Sequence, residues 1–356
     1  LLYERFKAGA YPLTLQSMDN CSHNGDKVKA GVLAYAKKWC EEGLVPPEFY
    51  AYVSESGKIT YPWAMIDKIV PRPDAKVRKI LEADGFEDAG TIETSKHSFT
   101  APFVNGEETG YLIIEDDYPN GKLPLELGGA VYTSREIVDK MERMKVCTCL
   151  NPLHTAVATA GCLLGYTLIS DEMKDDDLRT YITRMVYEEA MPVVTDPGIV
   201  SPAEFADTVL TKRLPNPFMP DTPQRIVVDN SQKIPVRFGE TIKNYIKEGL
   251  DLNRLNLVSF ALASYARYLR GIDDEGRAFE PSPDPLLSEL MPIVAGLEVK
   301  EGEQDFSCLK ALYCRPEIFG VNLYDTVLGD KVEAIVKKLY AGPGAVRKIL
   351  HEMVTS

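Results

Sequence analysis

Apolar positions in the first third of the chain follow two different periods. Residues 12–18 read as a strand that runs into the turn-rich stretch Asp19-Asn20-Cys21-Ser22-His23-Asn24-Gly25. From Asp26 to Glu42 the apolar residues Val28, Val32, Leu33 and Tyr35 fall on a helical period. Short strands are expected at 58–66, 98–104 and 111–114, with a helix at 75–83 between them. A strand–loop–helix order of this kind is a piece of α/β structure.

Beyond Val131 the period becomes helical throughout. Thr133 and Glu136 have capping-box spacing ahead of Ile137-Val138, which predicts a helix start there. Further helices are expected over 151–166, 178–193, 202–211, 235–247, 255–270 and 286–297, and from 330 to the end. Proline and glycine punctuate the gaps, notably Pro281-Ser282-Pro283-Asp284-Pro285. No repeat at a fixed period and no low-complexity tract interrupts the pattern. The expected fold is therefore α/β plus all-α: a mixed part over 1–140 and a multi-helical part over 141–356.

Composition narrows the functional classes. With 45% hydrophobic and 26% charged residues, the 356-residue chain has the balance of a globular protein. A net charge of −13 without a Lys/Arg cluster argues against a nucleic-acid or anionic-membrane surface. The apolar runs read as too short for a transmembrane helix. Seven cysteines spread over this length do not form a disulfide framework, which points to a reduced, cytoplasmic protein. The chain begins at Leu1 without an initiator Met, so a segment upstream is expected to be missing. Oligomeric state is not readable.

The sharpest chemistry lies in Glu142-Arg143-Met144-Lys145 followed by Asn151-Pro152-Leu153-His154. Oxidising a secondary alcohol needs a base for the hydroxyl proton and donors for the developing alkoxide. A lysine serves as that base only when burial or a neighbouring cation lowers its pKa well below ~10.4. An asparagine amide is a suitable oxyanion donor because it brings no competing base. His154, one turn beyond Asn151, shares its helix face and can orient a substrate hydroxyl. Asn151 as N-cap with Pro152 at the first helical position would start a new helix there. On the bland alternative Asn151 only caps and His154 only packs.

Four ordered motifs give this pattern a family resemblance. They are residues 12–20 with Asn24-Gly25; Ala64-Met65-Ile66-Asp67 continuing to Pro71; Glu142-x-x-Lys145 with Asn151-x-x-His154; and Asn216-Pro217, Arg225 and 229–235. Together they resemble the long-chain mannitol dehydrogenase family, which includes mannitol 2-dehydrogenase, fructuronate reductase and tagaturonate reductase. The resemblance implies an NAD- or NADP-dependent oxidoreductase without a metal, acting on a small polyol or sugar acid. It makes Lys145 the general base, and gives Asn20 and Asn151 the alkoxide oxygen. Glu142 would relay the proton between Lys145 and solvent, and His154 would contact a substrate hydroxyl. Asp67, Arg225 and Lys233 would line the substrate pocket, with Arg237 just beyond them, and Asn20 and Asp67 would also edge the cofactor site. Fructuronate/D-mannonate is the favoured substrate pair, with mannitol/fructose as the alternative.

The chain departs from the family in two ways. Five residues, Val146 to Leu150, separate Lys145 from Asn151, one more than the family's usual spacing. One extra residue turns a regular helix by ~100°, so a bulge or break must absorb it. No Gly-x-Gly-x-x-Gly fingerprint follows a strand, so the strand ending at Asn20 would be a late strand of an incomplete Rossmann-type domain. Two rival readings remain. Cys147 and Cys149 with His154 could ligand zinc, although no fourth ligand stands at a recognisable spacing. The helical half could also be a non-catalytic interaction module. The other cysteines and His351 read as packed, and His23 and His97 as solvated loop residues.

Overall fold

The short strand β1 (Leu13–Thr14) pairs in parallel with β2 (Ile59–Thr60), Leu13 opposite Ile59. Between them lie helix α2 (Asn24–Glu41) and helix α3 (Pro47–Ser54), preceded by α1 (Leu2–Lys7) at the chain start. The parallel order needs such a crossover, since a tight turn joins only antiparallel strands. A second sheet has the order β3 (Ala64–Asp67), β6 (Tyr111–Glu115), β7 (Val131–Thr133), antiparallel then parallel. Buried Phe49, Tyr52, Val53, Ile59 and Tyr61 form the core beneath α2 and α3.

The computed structural model describes residues 1–71, 73–96, 98–219 and 221–356. The expectation for His97 falls outside them. The described chain resolves into two units: Leu1–Val70, Gly106–Glu142 and Pro197–Ile199 in the first, and Pro71–Asn105, Arg143–Asp196 and Val200–Ser356 in the second. Helix α4 (Ala75–Ala83) and the hairpin β4 (Ile92–Glu93) with β5 (Phe99–Thr100) belong to the second unit.

The rest of the second unit is helical. Its centre is the helix Asn256–Leu269, in which all residues from Leu257 to Leu269 are buried. Arg267 lies at its heart, fully buried, with its guanidinium donating to the carbonyls of Leu339, Ile272 and Asp273. Three backbone acceptors, with the charges of Asp274 and Asp273 nearby, are how this buried cation remains tolerable. Glu189 caps the start of the same helix by accepting from Leu257 N at 2.7 Å and Val258 N at 2.8 Å.

Several boundaries differ from the sequence reading. Helix α5 (Arg135–Met144) is capped by Ser134, whose Oγ accepts from Ile137 N, because Thr133 is engaged in β7. The helix expected at 235 begins at Asn230 and carries Pro235 inside it. Asp284 makes the earlier start possible by accepting from Ser231 N at 2.7 Å. The last expected helix is two, Leu328–Leu339 and Ala345–Thr355, parted by Gly342 and Gly344 at positive φ.

Helix α6 (Asn151–Leu163) is capped by Leu150 rather than Asn151. No break separates α5 from α6: residues Lys145–Cys149 form a π-helical turn, with Leu150 N bonded to Lys145 O at 3.1 Å. The continuous stretch Arg135–Leu163 therefore has the length and composition to cross a membrane, contrary to the sequence expectation, yet 78% of its most apolar window is buried. It is a core helix.

Candidate active site

In the first unit the strand β1 leads into the loop that carries Asn20. Asn24 anchors that loop: its side-chain amide donates to Asp19 O and Ala64 O, and its Oδ1 accepts from Ala64 N, each at 2.9 Å. The first residue of β3 is thereby tied to the loop, and Asp67 lies buried at the other end of that strand. Asn20 is exposed, and Glu142 is half-buried near the end of α5. Ser22, two residues beyond Asn20, donates its hydroxyl to Glu142.

The second unit holds the remaining candidates. Lys145 is 4% exposed and opens the π turn. A π turn takes up one residue more than an α turn, so α6 leaves it in roughly the phase that a spacing one residue shorter would give. The bulge required by the five-residue gap is thus present. Asn151 and His154 share one face of α6, and Asn151 Oδ1 is buried without a hydrogen-bond partner among the described residues.

His154 Nε2 lies 3.3 Å from Asp221 Oδ2, slightly beyond a well-formed hydrogen bond. Both side chains are nearly buried. Asp221 also accepts from Arg225, at 2.8 Å from Nε and 2.6 Å from Nη2. Burial pushes the His154 imidazole below its ordinary value, and the cations Arg237 and Arg225 add to that, against the pull of Asp221. Burial alone would raise Asp221, but His154 and Arg225 hold its carboxyl below the usual range.

Lys233 donates to Ile226 O at 3.1 Å and is lowered by burial, then by Arg237. Arg237, pushed down to about 10 by burial, donates to Thr155 on α6. The structure thus brings His154 and Arg225 to Asp221, with Arg237 close enough to act on His154 and on Lys233. Sequence reading missed Asp221 and Thr155. The spacing of Asp221 and Arg225, one turn apart, was the available signal for Asp221. Thr155, one turn beyond Asn151, had a comparable one.

Behind this cluster sits Glu172, fully buried, with neither oxygen hydrogen-bonded among the described residues. Burial raises its carboxyl well above the usual range, and the charges of Asp221 and Asp175 add to that. Its Oε1 occupies space that a Cβ on Gly161 would need, 1.6 Å away. The proposed zinc ligands do not gather. Cys149 is buried, its thiol pushed up to about 12, and donates to Pro202 O. No group of three or more His, Cys, Asp or Glu able to hold a metal occurs among the described residues.

Comparison with known proteins gives the chain a family. The model of the mannitol dehydrogenase C-terminal domain matches residues 137–328, and the chain belongs to that family. It is 49% identical to the D-mannonate oxidoreductase of Thermotoga maritima, over 99% of this chain and 66% of that protein. With the mannitol 2-dehydrogenase of Phaeosphaeria nodorum it shares 32% identity, over 91% of this chain and 51% of the relative. A crystal structure of D-sorbitol dehydrogenase in substrate-free form superposes with a TM-score of 0.74 at 25% identity, covering 97% of this chain and 64% of that one. The chain thus spans between about half and two thirds of the length of these relatives.

Proposed function

We propose that this chain carries the substrate- and proton-handling part of an NAD(P)-dependent oxidoreductase that interconverts fructuronate and D-mannonate. The observation that supports this reading is the 49% identity with a D-mannonate oxidoreductase over 99% of the chain, against 32% with a mannitol 2-dehydrogenase. The cations beside His154 agree with it, because a sugar acid brings a carboxylate that a polyol lacks. Arg225, with its side chain 66% exposed, is suited to a bidentate grip on such a group.

In the oxidising direction, Lys145 Nζ takes the proton of the reacting hydroxyl. Asn20 and Asn151 donate to the alkoxide oxygen as charge develops there. Glu142 passes the proton from Lys145 toward solvent, while His154 holds a neighbouring hydroxyl with Asp221 setting its ring. On the resemblance, Lys233 and Asp67 are further substrate contacts. When bound, the nicotinamide ring supplies the hydride acceptor.

The candidate cofactor contacts, Asn20 and Asp67, belong to that end of the cofactor. Asn20 is exposed on the loop after β1, where the resemblance puts a contact to the nicotinamide end. At the N-terminus of α2, which follows a strand and loop, Gly25 packs directly against the backbone of residues 61 and 62. A Cβ on Gly25 would lie 2.2 Å from Tyr61 O, so the chain's own carbonyls fill that position. The reading includes a reducing, cytoplasmic location, as expected for seven cysteines spread along the chain rather than clustered as a disulfide framework.

The test follows NADH and NADPH oxidation by the complete enzyme with fructuronate, tagaturonate and fructose in parallel. Turnover of fructuronate is the expected result. Fructose as sole substrate would replace this reading with a mannitol–fructose enzyme, and turnover of none would remove it.

A further inference from the structure

The loop that carries Asn20 is held far more firmly than its exposure suggests. His23 adopts φ +53, a left-handed conformation that is strained for a non-glycine residue. Such a conformation persists only where surrounding contacts impose it, and here they can be named. The imidazole stacks on Trp63, ring centroids 3.9 Å and planes 14° apart. Its Nε2 lies 3.0 Å from Asp139 Oδ1. Trp63 is itself fixed, its backbone N–H donating to Glu115 Oε2 at 2.9 Å and its ring covered by the Arg135 guanidinium 4.7 Å from the centroid. Arg135 in turn donates to both oxygens of Glu115, at 2.9 and 3.0 Å.

Ser22 adds the second grip through its hydroxyl on Glu142. Asp139 and Glu142 stand three residues apart on α5, one turn along one face. Two consecutive loop side chains, the first of them two residues beyond Asn20, therefore hold two successive turns of a single helix. An oxyanion donor on a loop acts only when held within ~0.5 Å of its working position.

We propose that Ser22 and His23 are positioning residues that fix the Asn20 loop to the face of α5 bearing Glu142, with Trp63 as the platform on which the loop is set. This rests on the roles of Asn20 and Glu142 given under the proposed function. It assigns the short side chain at Ser22 and the strained backbone at His23 to one task.

The complete enzyme is compared with Ser22→Ala, His23→Asn, Asp139→Asn and the double variant His23→Asn/Asp139→Asn. Asparagine tolerates the left-handed backbone, so it removes the ring without adding strain. Each single variant is expected to lower kcat about tenfold, with the sugar-substrate KM changed less than about twofold. The double variant should be no slower than the slower single one, as for residues that act through one contact. Emission from Trp63, obtained by subtracting a Trp63→Phe variant, should change in His23→Asn and not in Ser22→Ala. An active wild type with unaffected kcat in Ser22→Ala and His23→Asn overturns this proposal alone. Additive losses in the double variant, or an unchanged Trp63 signal in His23→Asn, overturn it as well. A wild type that reduces none of the sugars removes the functional reading, and this proposal with it.

Discussion

Around Asn20 polar groups are fixed by backbone carbonyls and a stacked ring, whereas around His154 they are fixed by burial and mutual charge. The first arrangement is exposed. Ion pairs such as Arg135–Asp26 at 3.6 Å are screened by water and add little, so geometry there depends on Asn24, on Gly25 and on the ring stack. The second is mostly hidden from water: burial moves the pKa values of His154, Lys233 and Arg237 below their ordinary values, while neighbouring charges, acting through a lower dielectric, hold that of Asp221 down against burial. A loop site can therefore be loosened one contact at a time. A buried charge cluster responds as a unit.

The largest expected effect concerns the π turn. Lys145→Ala in the complete enzyme should reduce turnover by at least ~100-fold, the scale of general-base catalysis, with partial rescue by an added primary amine. Near-normal turnover would show that the extra residue has displaced Lys145 from the reacting hydroxyl.

Next comes the coupling within the cluster. Asp221→Asn leaves His154 without its carboxylate and frees Arg225, and should lower kcat/KM at least about tenfold. Arg225→Ala should act mainly on the KM of a carboxylate-bearing substrate. Combined, the two should fall short of the product of their separate losses. Strict multiplication of the effects would mean that the cluster is no unit, and the contrast drawn above would fail.

Glu172 sharpens the contrast through pH. Its folded-state pKa is raised by burial, so between the unfolded value near ~4.3 and that raised value the folded chain retains a proton that the unfolded chain has lost. Stability from this group is thus undiminished below ~4.3 and declines as pH rises above it. Glu172→Gln removes the titration. Its stability relative to wild type, read from denaturant unfolding, should grow from pH 4 toward pH 8; a difference flat with pH would show that Glu172 ionises freely. Gly161→Ala should destabilise at any pH by ~1–3 kcal/mol, because Glu172 must move.

The same contrast explains what could be read in the sequence. Helix periods, the helix at Ala75–Ala83 and the need for an irregularity after Lys145 are local properties, and the pattern carries them. The parallel pairing of Leu13 with Ile59 is not local, and strands of two residues leave hardly any alternation to detect. Asn230 was missed as a helix start because its support comes from Asp284, far along the chain. His154 was legible as a candidate, but its partner Asp221 arrives from a separate loop. His23 read as a solvated loop residue because nothing near it in sequence announces Trp63 or Asp139.

The smallest effect tests where α5 begins. Sequence spacing favoured Thr133 as the cap, whereas the structure gives that role to Ser134, with Ile137 N bonded to its Oγ at 3.4 Å and to its backbone oxygen at 3.0 Å. The side-chain bond is long, so Ser134→Ala should cost about 0.5–1 kcal/mol, at the low end for N-caps. Thr133 lies in β7, paired opposite Glu115, and its hydroxyl is not needed to start the helix. Thr133→Ala should therefore cost less, chiefly a few tenths of a kcal/mol of strand preference. Unfolding of both variants by denaturant decides the matter. A larger loss at Thr133 than at Ser134 would return the cap to the position the spacing suggested, and would shift by one residue the start of the helix that delivers Asp139 and Glu142.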